Sequence, residues 1–150
     1  MYIDECGIDR CLFREYGRAV RGRKIIGTIS GKKYKRINIV AGICCGQWIA
    51  PLQYDTSTDS VFFEFWFEQC LLKAMKRGQY IILDNATFHR KARLTELAAH
   101  KKCKVIFLPP YSPDLNTIEK MWAWLKQRLR ATLSNSESFD QAVRNAFQVE

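Results

Sequence analysis

Histidine occurs only twice and proline only four times in this 150-residue sequence, and no two cysteines form a C-x-x-C pair. Each shortage closes off a class of function. Cys6, Cys11, Cys44, Cys45, Cys70 and Cys103, with so little histidine beside them, are poor material for a zinc site, which needs Cys and His at close spacing. No stretch approaches the ~18–20 uninterrupted apolar residues of a membrane-spanning helix, so no membrane partner is expected. The opening residues, Met1-Tyr2-Ile3-Asp4-Glu5, have neither the basic lead nor the apolar run of a secretory signal. Reduced thiols and a cytoplasmic location follow as the expectation. With no repeats and no Pro/Gly/Ser linker, residues 1–150 read as one domain, long enough to bury roughly two-thirds of its unfolded surface.

Acid is scarce as well. Lys and Arg number 24 against 15 Asp and Glu, a net charge of +9. The excess is concentrated between Arg10 and Arg36, where ten bases face Glu15 alone. Such a run is either a solvated surface or a polyanion-binding face. It nominates nucleic acid without proving it.

The apolar pattern predicts an α/β fold. Met1 to Cys6 reads as a short strand, and residues 7–35 as a long basic loop or irregular hairpin. Arg36 to Cys44 and Gln47 to Tyr54 read as two strands turning at Cys45-Gly46, with Cys44 and Cys45 as small core residues. Val61 to Lys76 carries Phe62, Phe65, Trp66, Gln69, Leu72 and Met75 at helical spacing, a stripe better suited to core packing than to a cofactor. Tyr80 to Leu83 is a continuous apolar run, the mark of a strand covered on both faces. A helix from His89 to His100, a strand from Val105 to Leu108, a proline-forced loop, and helices over Asn116 to Leu133 and Ser138 to Phe147 complete the chain. Early strands joined by turns predict antiparallel pairing, and later strands separated by helices predict parallel crossovers. The expectation is a five-stranded mixed sheet, three antiparallel strands then two parallel, flanked by helices.

In a basic protein, acids that interrupt apolar structure are informative. Asp4 lies inside the first strand, Asp84 ends the Tyr80–Leu83 run, and Glu119 falls in the first turn of a helix. The C-terminal edge of a strand is where open α/β sheets bind ligands. If the first and fourth strands are neighbours, Asp4 and Asp84 face each other across about 5 Å. Two such carboxylates repel, and a hard divalent cation resolves the conflict. Each residue also has a bland explanation. Asp84 with Asn85 makes a turn, Glu119 completes a capping box with Asn116, and Asp4 sits on a frayed end.

Three strings bear on that choice: Tyr2-Ile3-Asp4-Glu5, then Ile82-Leu83-Asp84-Asn85-Ala86-Thr87-Phe88-His89, then Pro109-Pro110-Tyr111-Ser112-Pro113-Asp114-Leu115-Asn116-Thr117-Ile118-Glu119. Together they closely resemble the signature blocks of DDE transposases, in the bacterial insertion-sequence branch of the mariner superfamily. In the third block, 34 residues separate Asp84 from Glu119.

The resemblance implies a ribonuclease-H-like fold with the first and fourth strands adjacent, and a catalytic, metal-binding triad of Asp4, Asp84 and Glu119. It implies Mg²⁺ or Mn²⁺, two ions, serving hydrolysis of DNA at element ends and attack of the freed 3′-hydroxyl on target DNA, usually at TA. Relatives work as dimers or larger DNA-bound assemblies, here in the bacterial cytoplasm with the nucleoid. Arg21, Arg23, Lys24, Lys32 and Lys33 are candidates for phosphate contacts, with Asn85 and His89 beside them.

Two departures stand out. Nothing before Asp4 provides the helix-turn-helix region that reads element ends, which points to the downstream half of a split transposase, with a separately encoded DNA-binding half as partner. Thr117 stands where the family motif usually has proline. A different class of function, a degenerate, non-catalytic DNA-binding remnant, competes with the enzymatic reading.

Overall fold

A computed structural model of the chain describes residues 1–9, 20–23, 36–110, 112–133, 136 and 138–147. Strand β1 (Tyr2–Asp9) pairs antiparallel with β2 (Arg36–Cys44), and β2 pairs antiparallel with β3 (Gln47–Tyr54). On its other side β1 runs parallel to β4 (Tyr80–Leu83), which runs parallel to β5 (Lys104–Phe107). The spatial order is β3-β2-β1-β4-β5. This is the expected mixed sheet, with β1 and β4 as neighbours.

Helices cover both faces. On the first, Ile3, Val40, Ile81 and Leu83 meet a continuous helical segment made of α1 (Ser60–Trp66), a π-helical stretch (Phe67–Leu71) and α2 (Leu72–Ala74), together with α3 (Lys91–His100). On the second, Cys6, Ile8, Ile37, Ile39, Ala41 and Ile43 meet α4 (Ile118–Thr132) and α5 (Phe139–Phe147). Side chains alternate between faces along a strand, so this division fixes where every β1 residue points. Ile3 and Glu5 belong to the first face, and Asp4, Cys6 and Ile8 to the second.

The first strand is longer than its sequence suggests. It continues through Gly7 to Asp9, paired with Asn38, Ile37 and Arg36 of β2. Gly7 reads as a breaker, yet the Arg36 guanidinium fills the space a side chain there would need. The aromatic helix also shifts register. Phe63, Trp66, Phe67, Leu71, Leu72 and Met75 are buried, while Phe65 of the expected stripe is 60% exposed. The π-helical stretch rotates later residues relative to a regular 3.6-residue repeat. Cys45 is exposed in the β2–β3 turn at φ 52 and is no core residue. Helix α3 begins at Lys91, after His89 and Arg90, and α4 begins at Ile118. Of the basic segment, Lys24, Lys32 and Lys33 lie outside the described residues, and Arg21 and Arg23 are exposed.

Asn116 does not form the capping box that was the bland alternative for Glu119. It is 4% exposed, and its Oδ1 has no hydrogen-bond partner among the described residues, while Glu119 N–H donates to the Asn116 backbone carbonyl at 3.1 Å. Thr117 caps α4 at φ −59 and ψ −22 with no side-chain hydrogen bond. That φ already matches a proline ring. Thr117→Pro should therefore stabilise the fold by about 0.4–1 kcal/mol, through a less flexible unfolded chain. Thermal denaturation should show a rise of about 1–4 °C, and a fall would mean that Asn116 cannot accept a following proline.

Candidate active site

Parallel pairing of Tyr2 with Ile82 sets the register of β1 on β4. Two residues further along each strand stand Asp4 and Asp84, level with one another and on the same face. Helix α4 crosses that face and brings Glu119 in its first turn. Asp4, Asp84 and Glu119 line one cleft of about 480 Å³ with Asn85, Ala86, Thr87, Leu108, Pro109, Pro110, Ser112 and Asn116. The structure thus collects the three expected acids, and Asn85 with them, at one site.

Each carboxylate is held differently. Asp4 is half-buried in mid-strand. Its Oδ1 accepts the Glu5 N–H at 2.8 Å, and its Oδ2 accepts the Trp122 indole N–H at 3.2 Å. Trp122 is three residues beyond Glu119, so α4 delivers to Asp4 both a hydrogen-bond donor and a second acid. Asp84 follows the last residue of β4, and its Oδ1 accepts the Ala86 N–H at 3.2 Å. Its side chain is 49% exposed. Glu119 is exposed beside the buried Ile118.

The electrostatics are adverse to an empty site. The Asp4 carboxyl is pushed from 3.8 up to about 7, first by burial and next by the charge of Glu5, with smaller pushes from Glu119 and Asp84 against the restraining Glu5 N–H. Buried negative charge without a counter-ion is the condition a cation relieves.

The donor set suits a hard cation. It is composed of carboxylate oxygens, and the unpartnered, buried Asn116 Oδ1 adds a neutral oxygen on the cleft wall. Among the described residues, however, no three His, Cys, Asp or Glu side chains stand close enough to hold an ion as placed. The residues fit the metal by type and by position on one cleft, in an open arrangement.

His89, a sequence candidate for DNA contact, is 6% exposed and faces inward. Its Nε2 lies 3.4 Å from Glu5 Oε1 and its Nδ1 3.4 Å from Asp84 Oδ1. Glu5 and Trp122 escaped the sequence reading as site residues. The signal for Trp122 was its i+3 spacing from Glu119, and for Glu5 its adjacency to Asp4.

Comparison with known proteins agrees with the fold. The family model described as DDE superfamily endonuclease matches residues 1–141. A search of curated proteins finds no match. Among solved structures, the Mos1 transposase paired-end complex with left transposon end superposes with a TM-score of 0.69 at 13% identity, covering 97% of this chain and 51% of that one. The simian T-cell lymphotropic virus intasome in complex with PP2A regulatory subunit B56 gamma gives 0.56 at 18% identity, over 75% of this chain and 40% of that one. The catalytic core domain of BIV integrase gives 0.52 at 18% identity, over 75% and 72%. At such identities the likeness is one of fold, the ribonuclease-H-like core shared by transposases and integrases. The chain spans about half the length of the Mos1 transposase chain.

Proposed function

The chain belongs to the DDE superfamily of endonucleases, and from that premise we propose that it is the catalytic domain of a transposase that cuts and joins DNA. One observation carries the reading: Asp4, Asp84 and Glu119, far apart in sequence, line a single cleft, and Asp4 feels the charge of the other two. In this reading the three carboxylates hold Mg²⁺ or Mn²⁺, two ions in the working complex. Bound there, the metal would supply Lewis-acid stabilisation of charge on a phosphodiester and lower the pKa of an attacking oxygen.

The chain's own groups do the positioning. Asp84 presents its carboxylate from the open end of β4, Asp4 from near the start of the paired strand β1, and Glu119 from the first turn of α4, within reach of solvent. Trp122 holds one Asp4 oxygen and the Glu5 N–H holds the other, which restricts that side chain to one rotamer. DNA is the proposed substrate, as the excess of basic residues favours. The exposed Arg21 and Arg23, with Lys24, Lys32 and Lys33, are proposed phosphate contacts, and Asn85 a contact within the cleft. Residues 1–150 act as one catalytic domain in a dimer or larger DNA-bound assembly, with element ends read by a DNA-binding half outside these residues. The finer setting is cut-and-paste movement of a bacterial insertion sequence.

The test is conversion of supercoiled plasmid to nicked circle. Activity should require Mg²⁺ or Mn²⁺, vanish with EDTA, and vanish in Glu119→Gln. Nicking that survives EDTA would defeat the metal reading. A second reading, a DNA-binding remnant without catalysis, is favoured by the absence, among the described residues, of three metal-ligating groups in close contact. It requires salt-sensitive DNA binding with no nicking in either metal.

A further inference from the structure

Behind the cleft a buried imidazole, His89, stands between two acids, Glu5 and Asp84. We propose that His89 is a positioning residue: its ring, wedged between Glu5 and Asp84, fixes the orientation in which Asp84 meets the cation. The proposal rests on the reading of Asp84 as a metal ligand and adds a group that never touches the metal or DNA.

The geometry is specific at each contact. Asp84 and His89 end the same tight segment, in which Ala86 N–H donates to Asp84 Oδ1 at 3.2 Å and His89 N–H donates to the Ala86 carbonyl at 3.1 Å. This folds the chain back so that the His89 ring lies under its own strand end. Phe63 of α1 stacks on the ring at 4.3 Å between centroids with a 36° interplanar angle, and Phe88 meets it edge-on at 4.4 Å. Two aromatics pack against the imidazole. Its nitrogens then point in opposite senses, Nε2 to Glu5 Oε1 and Nδ1 to Asp84 Oδ1, each at 3.4 Å.

Nδ1 is completely enclosed and has no hydrogen bond within normal distance and angle among the described residues. A buried nitrogen left in that condition is costly, and Asp84 is the acceptor within reach. The Asp84 side chain is half open to water, and among the described residues its other anchor is the Ala86 N–H. Glu5 points to the first sheet face and Asp84 lines the cleft on the second, so the ring links the two faces across the end of β4. Partners of this kind, behind metal-ligating groups, typically alter metal affinity 10–100-fold when removed. The bland alternative is that the ring is a core aromatic, stacked on Phe63 for packing alone.

His89→Phe separates the two, because it keeps an aromatic ring on Phe63 and deletes both nitrogens. Mn²⁺ binding to the DNA-free protein, followed by electron paramagnetic resonance, should weaken about 10–100-fold with little change in melting temperature. His89→Asn places an amide nitrogen near the Nδ1 position and should recover much of the affinity. His89→Gln places one near Nε2, towards Glu5, and should recover less. Wild-type affinity in His89→Phe overturns the proposal, as does a loss in all three variants that merely tracks their melting temperatures. If wild-type protein binds Mn²⁺ no better than Asp84→Ala does, the ligand reading itself fails and takes the positioning role with it. Binding by the wild type, loss in Asp84→Ala and no change in His89→Phe would overturn the positioning role alone.

Discussion

Asp84→Asn should reduce metal-dependent nicking at least about a thousandfold while leaving the fold intact. The substitution is nearly isosteric, and the amide oxygen can still accept the Ala86 N–H that closes the turn. What disappears is one negative charge on a side chain 49% exposed to the cleft. Metal assistance to phosphoryl chemistry is worth several kcal/mol of transition-state stabilisation, and each 1.4 kcal/mol or so is tenfold in rate. A loss of about three orders of magnitude therefore follows from failure to hold the ion. Stability should change by no more than about 0.5 kcal/mol, since the site is partly exposed and the turn survives. The comparison needs single-turnover nicking rates and melting curves on the same preparations. Equal rates for the variant and wild type would end the enzymatic reading. A rate lost together with the fold would show instead that Asp84 is a turn-former.

Much of this site was legible because the sequence constrains it twice. Tyr80 to Leu83 is a continuous apolar run, so Asp84 marks the end of a strand, where side chains regain access to solvent. The expected cover on both faces is only partial, since Ile81 and Leu83 are buried but Tyr80 is exposed. Strand alternation then puts Asp84 on the same face as Asp4 once β1 and β4 are adjacent, an adjacency that came from the resemblance and not from periodicity. Glu119 was legible from helical phase, one residue beyond the buried Ile118.

What escaped notice depends on contacts that no period encodes. Gly7 is a breaker by propensity, but the ladder with β2 and the Arg36 side chain carry β1 past it to Asp9. Tertiary pairing overrides a weak local preference. Apolar residues at 61–63 and 65–67 leave the phase of α1 open to more than one stripe, and packing selects Phe63, Trp66 and Phe67 over Phe65. The π-helical stretch then carries burial on to Leu71. His89 misled for a similar reason. In a loop there is no repeat to say which way a side chain points, and its inward setting depends on Phe63, 26 residues earlier in the sequence. A polar residue between Phe88 and a run of bases looked like a surface contact until the ring of Phe63 came to lie over it.

The second large effect concerns Asp4, and its sign is opposite to that of most acidic residues. Paired carboxylates usually have depressed pKa values and stabilise proteins as pH rises. Asp4 is raised from 3.8 to about 7, so the folded chain binds its proton more tightly than the unfolded chain does. Below pH 4 both states are protonated and nothing is lost. Between about 4 and 7 only the unfolded state ionises, and stability falls. Above 7 the cost is constant. The displacement sets an upper bound of about 4 kcal/mol, which screening at this half-buried position reduces to about 2–3 kcal/mol. Asp4→Asn removes that cost. In EDTA its melting temperature should match the wild type near pH 4 and exceed it by about 5–10 °C at pH 8. Loss of the Trp122 contact to Oδ2 works against the gain and favours the lower figure. Adding Mg²⁺ or Mn²⁺ at pH 8 should close that gap. The wild type gains about 2.7 kcal/mol at a hundred times its dissociation constant, and the variant gains little. Parallel melting curves across the pH range in EDTA would mean that Asp4 carries no burden of charge in the empty cleft. The physical argument for a cation at this site would then be gone.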